Sequence, residues 1–166
     1  MKLTENTIFI TGGGSGIGRG LAEALHRRGN HVIISGRRKD RLAETTRANP
    51  GMQSVELNVE DPASIAAVAK KLIAEYPKLN VLINNAGIMQ IDDAAGVLDE
   101  AVLMSTITTN LLGPIRMTSA LIEHLKKQDA AEEVLVERAK TIRNKSGPGD
   151  DAYVAQFNDW MAQPPQ

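Results

Sequence analysis

Thr7-Ile8-Phe9-Ile10-Thr11-Gly12-Gly13-Gly14-Ser15-Gly16-Ile17-Gly18 is the stretch on which the reading of this chain turns. Thr7 to Ile10 are β-branched or aromatic and predict a strand, which Gly12, Gly13 and Gly14 end. From Ile17 to Arg28 the apolar residues Leu21, Ala24 and Leu25 fall at helical spacing. Strand, glycine loop and helix in that order make a cradle for an anion. The glycines let backbone approach closely, and the helix start presents free N–H groups and a partial positive charge. The spacing Gly-x-x-x-Gly-x-Gly is looser than the Gly-x-Gly-x-x-Gly fingerprint, and a glycine cluster alone also serves as a tight turn. Its setting between a strand and a helix is what points to a dinucleotide pyrophosphate, with Thr11, Gly12, Gly14, Ser15, Gly16, Ile17 and Gly18 as the candidate lining.

Outward from this unit the pattern repeats. His31 to Ser35 predicts a second strand, and Lys39 to Ala48 a polar helix ended by Asn49-Pro50-Gly51. A third strand is expected from about Gln53 to Val59. Asp61 reads as a helix N-cap with Pro62 at the first helical position, and Ile65, Val68, Leu72 and Ile73 form that helix's apolar face until Tyr76-Pro77. Val81 to Ile83 is a fourth buried strand. A long helix is expected from near Asp99 to Gln128, carrying Val102, Ile107, Leu111, Ile115, Ile122 and Leu125 and kinked at Pro114. Alternating strands and helices predict an α/β, three-layer, Rossmann-like architecture: a truncated parallel sheet of about four strands, order 3-2-1-4, with helices on both faces. Beyond Gln128 the chain turns acidic and helical in pattern, Asp129 to Lys145 and Asp151 to Met161 around a Ser146-Gly147-Pro148-Gly149 turn, and no fifth strand is legible. The organisation expected is a dinucleotide-binding domain over 1–128 and a helical tail over 129–166, packed on the domain or used for assembly.

Composition narrows the classes. A chain of 166 residues fits one domain and buries roughly 70% of the surface it exposes unfolded. With 42% apolar and 23% charged residues and a net charge of −1, it lacks the basic excess of a nucleic-acid binder. No apolar run approaches the ~20 residues that span a bilayer, so neither nucleic acid nor membrane is an expected partner. There is no cysteine, which excludes disulfides and thiolate metal sites, accords with a reducing compartment and makes the cytoplasm the default location. His26, His31 and His124 have no second ligand at metal spacing, so no metal is expected; Asp92 and Asp93, in a loop over the mouth of the site, read as solvated loop residues in preference to substrate-facing ones.

The second strand ends in Ser35-Gly36-Arg37-Arg38. Enzymes that use NAD place an acid here for the ribose hydroxyls, whereas NADP enzymes place an arginine for the 2′-phosphate. No carboxylate occupies these four positions, and the forked, permanently charged guanidinium of Arg37 suits a phosphate, so NADP(H) is expected over NAD(H). Arg38 reads either as a second contact or as a solvated charge at a helix start.

With Asn84-Asn85-Ala86-Gly87 after the fourth strand, and Thr109-Asn110-Leu111-Leu112-Gly113-Pro114 within the long helix, the chain resembles the short-chain dehydrogenase/reductase family over about residues 3 to 128. That resemblance implies carbonyl/alcohol oxidoreduction by hydride transfer. It assigns Gly12, Gly16 and Gly18 to the pyrophosphate, Arg37 to the 2′-phosphate, Asn58 and Val59 to the adenine, and Asn85, Ala86 and Gly87 to the adenosine ribose side and the central sheet. Asn58 stands where the family often has Asp; its amide oxygen still accepts a hydrogen bond from the adenine amine.

Of the family's Ser, Tyr, Lys and Asn catalytic set, only Asn110 is identifiable. Tyr76 is followed four residues later by Asn80 and Tyr153 by Phe157, so this sequence contains no Tyr-x-x-x-Lys and both tyrosines read as packing residues. Glu132-Glu133-Val134-Leu135-Val136-Glu137-Arg138 and Phe157-Asn158-Asp159-Trp160 resemble the tail of a bacterial subgroup of the same family. The expectation is a chain that joins the first four βα units to that tail and omits the catalytic segment. Three functions remain open: an oxidoreductase of small carbonyls or alcohols completed by another chain, a non-catalytic NADP(H)-binding protein, which is favoured, and an assembly module that forms homo-oligomers through the long helix 99–128.

Overall fold

The computed structural model describes residues 3–89, 99–128 and 132–133. Strands β1 (Thr7–Thr11), β2 (His31–Gly36), β3 (Gln53–Glu56) and β4 (Leu79–Ile83) alternate with helices α1 (Gly16–Arg27), α2 (Lys39–Ala48) and α3 (Pro62–Glu75). The sheet is parallel in the order β3-β2-β1-β4, with Ile8 opposite both Val32 and Val81. The predicted α/β topology is therefore the observed one. Asp61 caps α3 by accepting from the Ala63 N–H at 2.9 Å, with Pro62 next to it, as the sequence anticipates.

Period-two alternation sorts the core into two faces of the sheet. Ile8, Ile10, Val32, Ile34, Val81 and Ile83 pack against Leu21 and Leu25 of α1 and Leu42 of α2. Phe9, Ile33 and Leu82 point the other way, onto Ile65, Val68 and Leu72 of α3 and Met117, Leu121 and Leu125 of the last helix. The result is three layers. At the opposite end from the glycine loop, Asn6, Asn30 and Asn80 lock the sheet: Asn80 donates to the Asn6 side chain at 3.0 Å, and the Asn6 amide donates to Asn30 at 3.0 Å.

Two expectations need correction. The helix predicted to run from Asp99 to Gln128 with a kink at Pro114 is instead α4 (Glu100–Ile107), a π-helical turn (Thr108–Leu112) and α5 (Gly113–Leu125). Asp99 does cap its start, accepting from the Ala101 and Val102 N–H groups. Pro114 cannot donate to the carbonyl four residues back and its ring crowds that carbonyl; the wide turn just before it absorbs the misfit. Gly113 is needed there because a Cβ would lie 3.0 Å from the Val59 carbonyl oxygen.

The second correction is in the tail, read as helical from Asp129. Glu132–Glu133 (β5) form a short parallel strand on β4, pairing Glu132 with Val81 and Glu133 with Leu82. The edge of β4 presents unpaired N–H and C=O groups, and a following segment that reaches it satisfies them whatever its side-chain pattern. The other tail readings, from Val134 onward, lie outside the described residues.

Candidate functional site

The four long strands end on one side, and the order reverses between β1 and β4: the chain runs β1, β2, β3 outward, then crosses to the far side of β1. Loops at such a reversal diverge and leave a crevice. The glycine loop leaves β1 here and Asn84 to Gly87 leave β4.

These two loops are stitched together by Thr11. Its hydroxyl oxygen accepts from the Asn85 and Ala86 N–H groups, both at 3.0 Å, while the Asn85 side-chain amide donates to the carbonyls of Thr11 and Gly12 at 3.1 and 3.3 Å. Such close apposition excludes side chains. Gly12 has φ +71°, and a Cβ on it would lie 2.8 Å from the Ala86 Cα; a Cβ on Gly18 would collide with the Gly12 carbonyl oxygen and the Asn85 amide. Gly16 differs: its φ is +55° and nothing lies within 4 Å of where a Cβ would be. Gly12 and Gly18 thus seal the cradle, whereas Gly16, at the first turn of α1, opens outward beside an Ile17 that is 40% exposed. Gly14 is buried against Arg41 and Leu42 of α2.

Ser15 precedes α1 without capping it through its side chain; its hydroxyl oxygen instead accepts from Arg38 Nη2 at 2.7 Å. Arg38 pairs with no carboxylate among the described residues, unlike its neighbours. Arg37 donates to Glu60 Oε1 at 3.1 Å, Lys39 meets Glu56 at 2.8 Å, and Arg41 meets Glu44 at 3.1 Å. Arg37 and Asn58 line one pocket with Glu56, Asp61 and Ser64. Asn58 Oδ1 accepts from the Glu60 N–H at 3.1 Å, and Ser64 Oγ accepts from the Asn58 N–H at 3.1 Å. The Val59 side chain is buried in the core, and Val59 is not among the residues that line this pocket.

Asn110 sits in the π turn. Its Oδ1 accepts from the Ile88 N–H at 2.8 Å and its Nδ2 donates to the Ile88 carbonyl at 2.7 Å. The side chain therefore holds Ile88, the residue after Gly87, by both of its backbone groups. Asn84 makes a parallel tie to Thr118 of α5 at 3.0 Å. Of the expected site residues, Thr11, Asn85 and Ala86 are in direct contact, and Asn110 bonds to Ile88, one residue beyond Gly87. Glu60, Ser64, Thr109 and Thr118 were not foreseen, because a polar residue near a helix start carries no periodic signal of its long-range partner.

Tyr76 ends α3, packs against the buried face and lies 5.5 Å, ring to ring, from His31. Burial, and secondarily the Glu75 carboxylate, push its phenol above the ordinary value. Tyr153, Asp92 and Asp93 lie outside the described residues. Among the described residues no group of three or more His, Asp or Glu converges as a metal site, and no helix is long and apolar enough to cross a membrane.

Comparison with known proteins agrees with this geometry. The chain is 41% identical over 137 residues to the uncharacterized oxidoreductase DltE of Bacillus subtilis (strain 168), covering 82% of this chain and 54% of that protein. It superposes on a 3-ketoacyl-(acyl-carrier-protein) reductase from Brucella melitensis complexed with NADH, with a TM-score of 0.70 at 27% identity over 76% of this chain and 52% of that one. An actinorhodin polyketide ketoreductase variant with NADPH gives a TM-score of 0.68 at 25% identity over 72% and 47%. The chain spans about half the length of the relatives it matches. The short chain dehydrogenase model matches residues 6–155, and the chain belongs to that family of oxidoreductases.

Proposed function

We propose that this chain binds the adenosine-diphosphate half of NADP(H), in preference to NAD(H), and does not itself carry out hydride transfer. The observation that carries the reading is Arg38. Its guanidinium is held on Ser15 at the mouth of the glycine loop with no carboxylate partner among the described residues, and the preceding residue in the chain, Arg37, carries a second guanidinium. A 2′-phosphate is the group that two such forks suit. The residues present also fit a pyrophosphate, since the backbone at Gly16 is open and α1 begins there with unsatisfied N–H groups. Gly12 and Gly18 would set the depth of the cradle. One lone pair of Asn58 Oδ1 is left for the adenine amine, and Asn85, Ala86 and Gly87 would support the ribose side. Arg37 is engaged by Glu60, but at 59% side-chain exposure that pair is screened by solvent, worth ~1 kcal/mol or less, and a phosphate can displace it.

The nicotinamide of such a cofactor supplies or accepts the hydride, and a protein acid must move the accompanying proton. Tyr76 is unsuited to that role. Its phenol is pushed up, whereas a general base near neutral pH needs it brought down, and no lysine follows it at four residues. A general acid contributes ~10²- to 10⁴-fold, so without it, and without the Ser and Lys, turnover of small carbonyls or alcohols is expected near background. Calorimetric titration with NADPH and NADH, beside Arg37→Ala and Arg38→Ala, tests the reading. NADPH should bind more tightly than NADH, and the two variants should lose that difference. Absence of binding, or aldehyde and ketone turnover abolished by Asn110→Ala, would overturn it.

A second reading rests on Met104, Leu111 and Ile115, exposed at 48, 53 and 55% on the face of α4, the π turn and α5. Apolar side chains so exposed suit a contact between copies of the chain. Light scattering tests it: a dimer that Leu111→Glu dissociates supports homo-oligomerisation through this helix, and a monomer removes it.

A further inference from the structure

Of the charged groups near Arg37, the two carboxylates that line its pocket, Glu56 and Asp61, are accounted for. Lys39 and Glu56 pair with each other at 2.8 Å, and Asp61 caps α3. Glu60 remains. Its Oε1 accepts from Arg37 Nη1 at 3.1 Å and from Thr109 Oγ at 2.8 Å. Thr109 is 3% exposed and lies in the π turn, so its hydroxyl is a fixed anchor. The carboxylate is thus held in place by a buried group that has no charge of its own to neutralise, and is presented to the guanidinium expected to take the 2′-phosphate. A mobile surface carboxylate would lose side-chain entropy in making this pair; a tethered one has already lost most of it.

We infer that Glu60 is a specificity-determining residue of the nucleotide site, a built-in rival of the 2′-phosphate for Arg37 that lowers the preference for NADP(H) over NAD(H). The inference rests on the nucleotide-binding reading above. Two arrangements are open to a bound 2′-phosphate, and both disfavour it relative to a hydroxyl. If the phosphate displaces Glu60, the Arg37–Glu60 pair is lost. If both anions share the five donors of the guanidinium, the carboxylate repels the phosphate across a few ångströms. NAD(H), with a neutral 2′-hydroxyl, meets neither cost. The Glu60–Thr109 bond also links the 2′-phosphate position to the π turn whose next residue, Asn110, holds Ile88, so both ends of the nucleotide crevice meet at one turn of helix.

The test is calorimetric titration of the full chain with NADPH and NADH, using wild type, Glu60→Gln, Arg37→Ala, the double variant and Thr109→Val. Glu60→Gln keeps the shape and the oxygen that accepts from Thr109 but removes the charge. It should tighten NADPH by about two- to fivefold, the size of a solvent-screened ion pair, and leave NADH unchanged. In the Arg37→Ala background the same change should have no effect. Thr109→Val, which frees the carboxylate without removing it, should shift the NADPH/NADH ratio in the same direction by less. The inference fails if wild type binds NADPH while Glu60→Gln leaves the ratio unchanged, tightens both nucleotides equally, or acts equally without Arg37. Wild type that binds neither nucleotide refutes the half-site reading itself and this inference with it, a result distinct from the others because it appears before any variant is made.

Discussion

Asn110→Ala tests what Asn110, which the family resemblance assigns to a catalytic position, does in this chain. Its side chain makes two hydrogen bonds, 2.8 and 2.7 Å, to the N–H and carbonyl of Ile88. A typical intramolecular hydrogen bond contributes ~0.5–1.5 kcal/mol, so truncation removes about 1–3 kcal/mol. Ile88 is half-buried rather than buried, and water reaching its backbone offsets part of the loss, which places the expected value toward the lower half of that range. For a chain of this size, that corresponds to a Tm lower by roughly 2–8 °C. The loss is local, so amide exchange at Ile88 should accelerate more than exchange in β1 or β4. Affinity for NADPH should fall as well, because Asn85 to Gly87 lead directly into the released segment. Asn110→Asp sharpens the test: it is isosteric and can still accept from the Ile88 N–H, but it sets a carboxylate oxygen against the Ile88 carbonyl and should not restore stability. Urea denaturation and exchange measured by NMR are the assays. If Asn110→Ala changes stability by less than about 0.5 kcal/mol, the spread expected of an ordinary surface substitution, and Ile88 exchange is unaltered, the holding role is wrong.

Gly18→Ala should destabilise the protein by about 1–3 kcal/mol, as overpacking does, because the new methyl meets the Gly12 carbonyl and the Asn85 amide. Gly14→Ala, whose nearest neighbour is the end of the Leu42 side chain at 3.3 Å, should cost less in the same denaturation assay; equal costs would refute the sealing role of Gly18. Glu44 accepts from Arg19 at 2.7 Å and from Arg41 at 3.1 Å, and hydrogen bonding to Arg19 first, then Arg41, holds its carboxyl below the ordinary value. A depressed folded-state value means stability that is present above the unfolded carboxylate range and disappears as pH falls through the folded value. The stability gap between wild type and Glu44→Gln should therefore close on acidification from neutral pH, and a gap that widens would contradict the assignment.

Much of this protein is local information and was readable as such. Strand β1 could be recognised because Thr7 to Ile10 are β-branched or aromatic, and α3 because Asp61-Pro62 can cap and start a helix wherever it sits. The absence of Tyr-x-x-x-Lys and of any acid in Ser35-Gly36-Arg37-Arg38 is likewise a property of the chain itself. Conformational propensity and periodicity act over a few residues, so the sequence by itself determined the order of elements, their buried faces and the place of the glycine loop. The π turn was not legible, since Pro114 signals a misfit without saying whether a kink or a widened turn relieves it. Nor was β5, whose two glutamates pair with β4 as a parallel strand.

The site's working contacts belong to the tertiary structure. Thr11 reaches Asn85 across 74 residues, Glu60 reaches Thr109 across 49, and Arg38 reaches Ser15 across 23. None of these polar residues has a partner until the parallel sheet brings the strand ends together at the reversal between β1 and β4. That packing decided that Arg37 meets a carboxylate while Arg38, among the described residues, does not, and that Asn110 holds backbone. The physical reason is that a hydrogen bond requires two groups within about 3 Å, and the chain between them specifies that distance only after it has folded.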